Sequence, residues 1–253
     1  MRDPLVSVVI PVHNGVRHLI PAVESVLLQR VPLEIIVVDD ASDEDVAGAL
    51  AEYIDSGRLI LLRNEKNLGP ARSRNRGVKK AKGRFIAYLD SDDSWEPDKL
   101  RKQLREMKRT GCVLCSTGRR LMTPEGRKTR RTIGVRQRIS YRGLLTHNSI
   151  NCSSVVMRRD VALEFPMAHD EYHEDYLTWL RVLRKYRYAC AVNEPLLNYR
   201  LSNKGKSGNK LHSARMTYGV YRCMGFSLPK SILCFISYSV NGLLKYSDLP
   251  LKL

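Results

Sequence analysis

Asp90, Asp92 and Asp93 fall within four residues, directly behind the apolar run Phe85-Ile86-Ala87-Tyr88-Leu89. Like charges this close repel, and a divalent cation between them removes that cost. A metal on Asp92 can bridge two phosphate oxygens and neutralise charge as a leaving group departs. Asp90, across Ser91, reaches a ribose hydroxyl if the chain turns there. A second acid pair, Asp39-Asp40, closes the run Glu34-Ile35-Ile36-Val37-Val38. Asp40 can accept from an imide N–H such as that of uracil, while Asp39 braces the turn. A third pair, Glu174-Asp175, opens a segment of helical periodicity. Acids there either complement the helix dipole or take the proton of an attacking hydroxyl. Taken alone, Asp90-Ser91-Asp92-Asp93 also reads as a polar turn in which Asp93 or Ser94 caps the next helix.

These residues must be held by the elements around them. Leu5–Ile10 is a β-branched run stopped by Pro11, and Asn14-Gly15 then makes a turn. Leu19, Ala22, Val23, Val26 and Leu27 recur at helical spacing. Strands at 34–38 and 58–62 enclose a helix capped by Ser42 or Asp43 and ended by Gly57. Pro70 suits the first turn of a third helix that ends at Gly83, ahead of a fourth strand at 85–89. Four strands alternating with three helices predict an α/β fold with a parallel sheet, whose carboxyl edge collects both acid pairs.

Past Pro97, a helix from Asp98 to about Thr110 and a strand at Cys112–Cys115 continue the pattern. Residues 118–142 set nine Lys and Arg against Glu125 alone, which reads as a long basic loop or irregular hairpin. Segments 153–157, 188–192 and 196–199 read as strands, 173–183 as a helix, and Arg200–Lys210 as a cationic loop. From 211 to 253 the chain turns helical and then apolar. Ser231–Leu244 is too short and too polar to span a bilayer, so it lies in a membrane interface or packs on the core.

The net charge of +17 on 253 residues calls for an anionic partner: nucleic acid, phosphorylated small molecules or an acidic membrane. Of six cysteines only Cys112 and Cys115 have ligand spacing, and no second pair completes a zinc site. Buried free thiols in a reducing cytosol fit better. Met1–Pro4 opens no apolar leader. Neither G-x-G-x-x-G nor G-K-[ST] follows a strand. A nucleic-acid binder would interleave aromatics with its cations, and the basic stretch offers only Tyr141. A nucleotidylyltransferase would carry a Gly-rich Arg/Lys loop after the first strand, which Val12-His13-Asn14-Gly15 lacks.

Ser7–Asn14, Val37–Asp43, Asn67-Leu68-Gly69 with Ala71, Arg74, Asn75 and Gly77, then Tyr88–Pro97 and Glu174-Asp175 follow one another across about 5–200. In this order and spacing the chain resembles family 2 glycosyltransferases of the nucleotide-sugar (GT-A) fold. That resemblance implies a mostly parallel sheet flanked by helices over 1–210, with a nucleotide half to about 97, an acceptor half over 98–210, and a helical appendage at 211–253. It implies that Asp40 binds the base, that Asp90 and Ser91 lie by the ribose and diphosphate, and that Asp92 holds Mn2+ or Mg2+. Asp175 would be the general base of an inverting displacement. Pro11 and His13 would flank the base, His13 standing where the family more often has Tyr. Arg74 would lie near the base or the diphosphate and Arg200 by the diphosphate, with Asp93, Trp95, His173 and Glu174 toward the acceptor. The implied partners are a UDP-sugar, a glycan or undecaprenyl-diphosphate-linked acceptor, and an anionic membrane surface, with no nucleic acid. The implied place is the cytoplasmic face of the bacterial inner membrane.

Overall fold

Val6–Val12 (β1) is buried along nearly its whole length, and a β-branched run with no solvent face becomes a central strand of a parallel sheet. The computed structural model describes residues 4–201 and 210–247. After β1 come Val16–Leu27 (α1), Leu33–Asp39 (β2), Val46–Ala49 (α2), Ala51–Asp55 (α3), Ile60–Arg63 (β3), Pro70–Lys80 (α4) and Phe85–Tyr88 (β4). Ser94–Trp95 (β5), Lys99–Thr110 (α5), Leu114–Met122 (β6), Lys128–Ile133 (β7), Arg138–Ser140 (β8) and Tyr141–Thr146 (α6) follow. A 3-10 turn at Cys152–Ser154 leads to Val156–Arg158 (β9), Arg159–Glu164 (α7), Glu174–Tyr186 (α8) and Tyr188–Arg200 (β10). Lys210–Cys223 (α9) and Leu228–Ser247 (α10) close the described chain.

The strands order as β3-β2-β1-β4-β9-β6-β10-β5, with β7 on β6 and β8 on β10. The first four are parallel, as the βα alternation requires. In the second half β9 runs antiparallel to both β4 and β6, so one mixed sheet passes through residue 97 without a break. Along β1, Val6, Val8 and Ile10 join the layer of α1 and α5, while Val9 joins that of α4 and α8.

Several local expectations change. β1 continues through Pro11 to Val12. Alternate residues of a parallel strand address alternate neighbours. Val9 O accepts from Leu89 N on the β4 side and Val12 O from Asp40 N on the β2 side. Pro11 therefore turns its missing N–H toward β4, where that strand has already ended. The second helix is capped by Asp45, which accepts from Gly48 N, while Ser42 turns its Oγ to accept from Asn14 N at 2.9 Å instead. α4 stops at Lys80, and Gly83 serves close approach instead, since a Cβ there would lie 2.6 Å from Ser7 N.

Of the loop and the irregular hairpin expected for the basic stretch, the hairpin forms: β6 and β7 pair with Arg119 opposite Ile133 and Met122 opposite Lys128, and β8 and the start of α6 complete the stretch. Ser153 and Ser154 lie in the 3-10 turn because Asn151 Oδ1 takes Ser153 N at 3.0 Å. Segments 188–192 and 196–199 form one strand, shifted in register around Pro195, which passes over Gly118. Cys112, Cys115, Cys152 and Cys190 are buried free thiols. Most of the Arg200–Lys210 loop lies outside the described residues. Among the described residues no helix is long and apolar enough to cross a membrane. α10 packs Cys234, Phe235 and Tyr238 on the body and turns Ile232, Leu233, Ile236 and Val240 outward.

Candidate active site

Because β2 and β4 both flank β1 in parallel, Asp39-Asp40 and Asp90–Asp93 leave the sheet on one edge. Asp40 is buried, and its carboxylate accepts from Asn64 Nδ2 at 2.6 Å, Leu68 N at 2.8 Å and Gly69 N at 2.8 Å. Three of its roughly four lone-pair directions are thus taken, and Asp40 fixes the 64–69 loop that leads into α4. Asp39 bonds Ser42 N and lies 3.0 Å from Arg63. The exposed ring of His13 has Nδ1 3.0 Å from Asp40 O, which holds it over the same corner beside half-buried Pro11.

The centre of the site is Arg74, buried on α4. One arm of its guanidinium donates to Asp90 Oδ1 at 2.6 Å and the other to Glu174 Oε1 at 2.9 Å. Its positive charge is held far above any accessible titration, with Asp90 and Glu174 outweighing its burial. Arg74 therefore joins the end of β4 to the first turn of α8, rather than lying free for a diphosphate. Asn75, the next residue, exchanges two bonds with the Met167 backbone, at 2.7 and 2.9 Å. Asp170 Oδ1 accepts from Ala71 N at 2.9 Å, at the start of α4. Asp175, beside Glu174, stays partly accessible. Burial, then the Glu174 charge, pushes its carboxyl up to about 7, with Arg74 and the Tyr176 N–H opposing. A carboxylate of that basicity is suited to accept a proton near neutral pH.

Burial and the adjacent Asp90 charge also raise Asp92, to about 6. Half-buried Ser91 lies between them in the turn. Asp93 is buried and accepts from Arg200 N at 2.8 Å, while Arg200 Nε donates to Asp92 O at 2.7 Å and Nη1 to Pro124 O at 2.8 Å. Arg200 thus clamps the acidic turn to the end of β10. Trp95 does not face an acceptor: it is 3 % exposed, donates from its indole to Ser153 O at 2.8 Å, and carries Lys99 Nζ 4.0 Å from its ring. Asp93 is likewise committed to the fold. His173 precedes α8, with Nε2 3.3 Å from Ser213 O. Glu174 is taken up by Arg74.

Among the described residues no three His, Cys, Asp or Glu side chains converge on one point. Asp92 nevertheless fits a hard divalent cation, because Mg2+ or Mn2+ takes one or two carboxylates and completes its shell with water and substrate phosphates. The raised Asp92 and its neighbour Asp90 are the charge excess that such an ion relieves.

Sequence reasoning missed Asn64, Ser153 and Asp170. Ser153 Oγ accepts from Asp90 N at 3.1 Å, and Asn64 bridges Asp40 and Ser73. Asn64 stands directly after β3, a strand-end polar residue that invited attention; Asp170 carries no local signal.

The family model described as Glycosyl transferase family 2 matches residues 7–165. TuaG of Bacillus subtilis, named for teichuronic acid biosynthesis, is 36% identical over 96% of this chain and 97% of its own. WfaP of Escherichia coli, a UDP-Glc:alpha-D-GlcNAc-diphosphoundecaprenol beta-1,3-glucosyltransferase, is 32% identical over 96% of this chain and 95% of its own. Among solved structures, S. aureus TarS 1-349 in complex with UDP-GlcNAc gives a TM-score of 0.72 at 16% identity, covering 98% of this chain and 76% of that one. The mannosyltransferase PcManGT from Pyrobaculum calidifontis, in complex with GDP-Man and Mn2+, gives 0.70 at 16% identity, over 98% and 71%. The fold is GT-A, and the chain belongs to glycosyl transferase family 2.

Proposed function

We propose that this enzyme moves a sugar, with inversion, from a UDP-sugar to a hydroxyl of an undecaprenyl-diphosphate-linked glycan in bacterial surface polysaccharide synthesis. The observation that carries this reading is the bridge through Arg74. It brings Asp90 of the donor edge and the Glu174-Asp175 turn to one guanidinium. The names of WfaP and TuaG support the acceptor class and the polysaccharide setting.

In this mechanism the acceptor hydroxyl gives its proton to Asp175 as its oxygen bonds the anomeric carbon. The bond from that carbon to the UDP oxygen breaks, and UDP leaves with the electron pair. A single displacement inverts the centre and needs no nucleophilic side chain. Mn2+ or Mg2+ held at Asp92 would supply charge neutralisation for the departing diphosphate. Asp90 orients the ribose side from its Arg74 anchor, while Asp40 and His13 shape the base corner. The enzyme works on the cytoplasmic face of the inner membrane, where the outward stripe of α10 enters the interface. Leu233 is 68 % and Ile236 53 % exposed on that stripe.

The test is UDP release from a panel of UDP-sugars with Mn2+ and a lipid-linked acceptor. UDP release that requires the acceptor supports transfer, whereas pyrophosphate-dependent formation of UTP and sugar 1-phosphate would indicate nucleotidyl transfer. Asp92→Ala should weaken metal-dependent UDP binding, and Asp175→Asn should keep UDP binding but turn over at least about a hundredfold more slowly. Leu233→Glu with Ile236→Glu should free the enzyme from anionic vesicles; unchanged sedimentation with them would remove the membrane role.

A further inference from the structure

β4 and β9 pair antiparallel, with Phe85 opposite Arg158, Ile86 opposite Met157 and Ala87 opposite Val156. Carried on past the end of β4, that register sets Asp90 opposite Ser153. The ladder bond before it runs from Tyr88 N to Val155 O at 3.3 Å. Every second residue of an antiparallel pair makes such a bond, so the next one would run from Asp90 N to Ser153 O. It does not form. The 3-10 turn at Cys152–Ser154 gives that carbonyl to the Trp95 indole, which donates to it at 2.8 Å. Asp90 N donates instead to Ser153 Oγ at 3.1 Å. The Ser153 hydroxyl thus replaces its own backbone carbonyl where β4 opens into the acidic turn, and Ser153 holds both Asp90 and Trp95.

Ser153 is itself firmly held. Asn151 Oδ1 accepts from Ser153 N at 3.0 Å, Ser154 Oγ lies 2.7 Å from Ser116 Oγ, and Gln103 Nε2 donates to Ser154 O at 2.9 Å. Both serines are fully buried. On the turn itself, Asp93 N donates to Asp90 O at 3.0 Å, Asp93 Oδ1 accepts from Arg200 N at 2.8 Å, and Asp92 O accepts from Arg200 Nε at 2.7 Å. Asp92 therefore lies between one residue fixed from Ser153 and another fixed from β10. Arg74 holds the Asp90 side chain, whereas Ser153 fixes the peptide by which the chain enters the turn. That peptide sets where Asp92 comes to lie. Mg2+ demands near-ideal octahedral geometry, so a displaced carboxylate is a poorer ligand.

We propose that Ser153 is a positioning residue for the metal: its hydroxyl fixes the peptide entering the acidic turn and so aims the Asp92 carboxylate at the cation. This inference rests on the reading of Asp92 as the metal ligand and adds the residue that orients it. Ser153 acts through the Asp90 backbone and not by ligation. Removing an outer group of this kind typically lowers metal affinity by about 10–100-fold.

Titrating the full chain with Mn2+ in the presence of saturating UDP tests the proposal apart from turnover, with bound ion read from loss of the free-ion EPR signal. Ser153→Ala should weaken Mn2+ binding at least about tenfold and leave UDP affinity without metal unchanged, which also reports an intact fold. Ser153→Cys, close in volume but a weak acceptor, should lose Mn2+ affinity in the same way and keeps the test open if the alanine variant does not fold. Ser154→Ala is the control from the same buried turn, because its hydroxyl bonds Ser116 Oγ and Asn151 O rather than the acidic turn. It should melt lower and bind Mn2+ as the parent does. Parental Mn2+ affinity in folded Ser153→Ala or Ser153→Cys would overturn the proposal. So would an equal loss in Ser154→Ala, which would mean a general loosening of the turn. Failure of the metal reading shows separately, as parental Mn2+ affinity in Asp92→Ala.

Discussion

Arg74 and Glu174 are 100 positions apart in the chain and 2.9 Å apart in space, and the same guanidinium reaches Asp90 at 2.6 Å. One buried cation therefore neutralises a donor-side acid and the neighbour of the base together. Removing it leaves two carboxylates without their shared partner. Arg74→Gln should cost about 3–5 kcal/mol of stability in urea unfolding. Arg74→Lys should recover only part of this, since an ammonium cannot fork to both acids. Arg74 also opposes the rise of the Asp175 carboxyl, so where Arg74→Gln folds, the acid limb of its pH–rate profile should move to higher pH.

Asp175 must be ionised to accept a proton, and its carboxyl is pushed up to about 7. Activity, as kcat/KM, should therefore rise with pH and level off above about 7, and Asp175→Asn should lower it by about 10²–10⁴. Stability runs the opposite way. A raised folded pKa favours the protonated form, so this group's stabilising contribution is full below pH 3.8 and is lost as pH rises through about 7. Asp175→Asn can keep the bond from Tyr176 N and should melt higher than the parent at pH 8 but not at pH 4. A rate profile flat from pH 5 to 9 would remove Asp175 as the base.

Lys99 is fully buried, donates to Gln103 Oε1 at 2.8 Å, and is pushed down to about 7 by burial. Between about 7 and 10.5 the unfolded chain binds the proton that the folded lysine has released. Stability contributed here should thus rise with pH across that window, and the full penalty persists below pH 7. Lys99→Met should stabilise by about 1–3 kcal/mol at pH 6 and progressively less by pH 10, read by thermal unfolding.

Gly77 sets how closely α4 lies on β1: a Cβ there would come within 2.4 Å of Val9 Cγ1. Gly77→Ala gains about 1 kcal/mol of helix propensity but overpacks a buried contact, at about 1–3 kcal/mol. The variant should be less stable than the parent, and adding Val9→Ala should return part of the loss. Because α4 carries Arg74, Gly77→Ala should also reduce activity before it unfolds the chain.

Some of this enzyme was legible in its linear order. Val6–Val12, Leu33–Asp39 and Phe85–Tyr88 are apolar enough to be buried wherever they go, and the βα alternation orders them parallel with their acids on one edge. Such features are local: a run of side chains decides strand, and the connection decides direction. The basic stretch at 118–142 left a loop and an irregular hairpin open because nine cations suggest solvent, and the hairpin is what forms: β7 alternates exposed and half-buried residues against β6 as far as buried Ile133. Long cationic side chains can line a strand while keeping their charge in water.

What residue types and spacing determined was the chemistry available: three acid pairs, two at strand ends and one at a helix start, on a family 2 glycosyltransferase chain. The tertiary structure decided how those acids are used. It gave Arg74 to Asp90 and Glu174, Asp40 to the 64–69 loop, Asp93 to Arg200, and Trp95 to the core. The physical reason is that a carboxylate's role follows from its partners and its exposure to water. At this site those are set by contacts up to 107 positions apart, which form only when the two halves of the sheet close on one another.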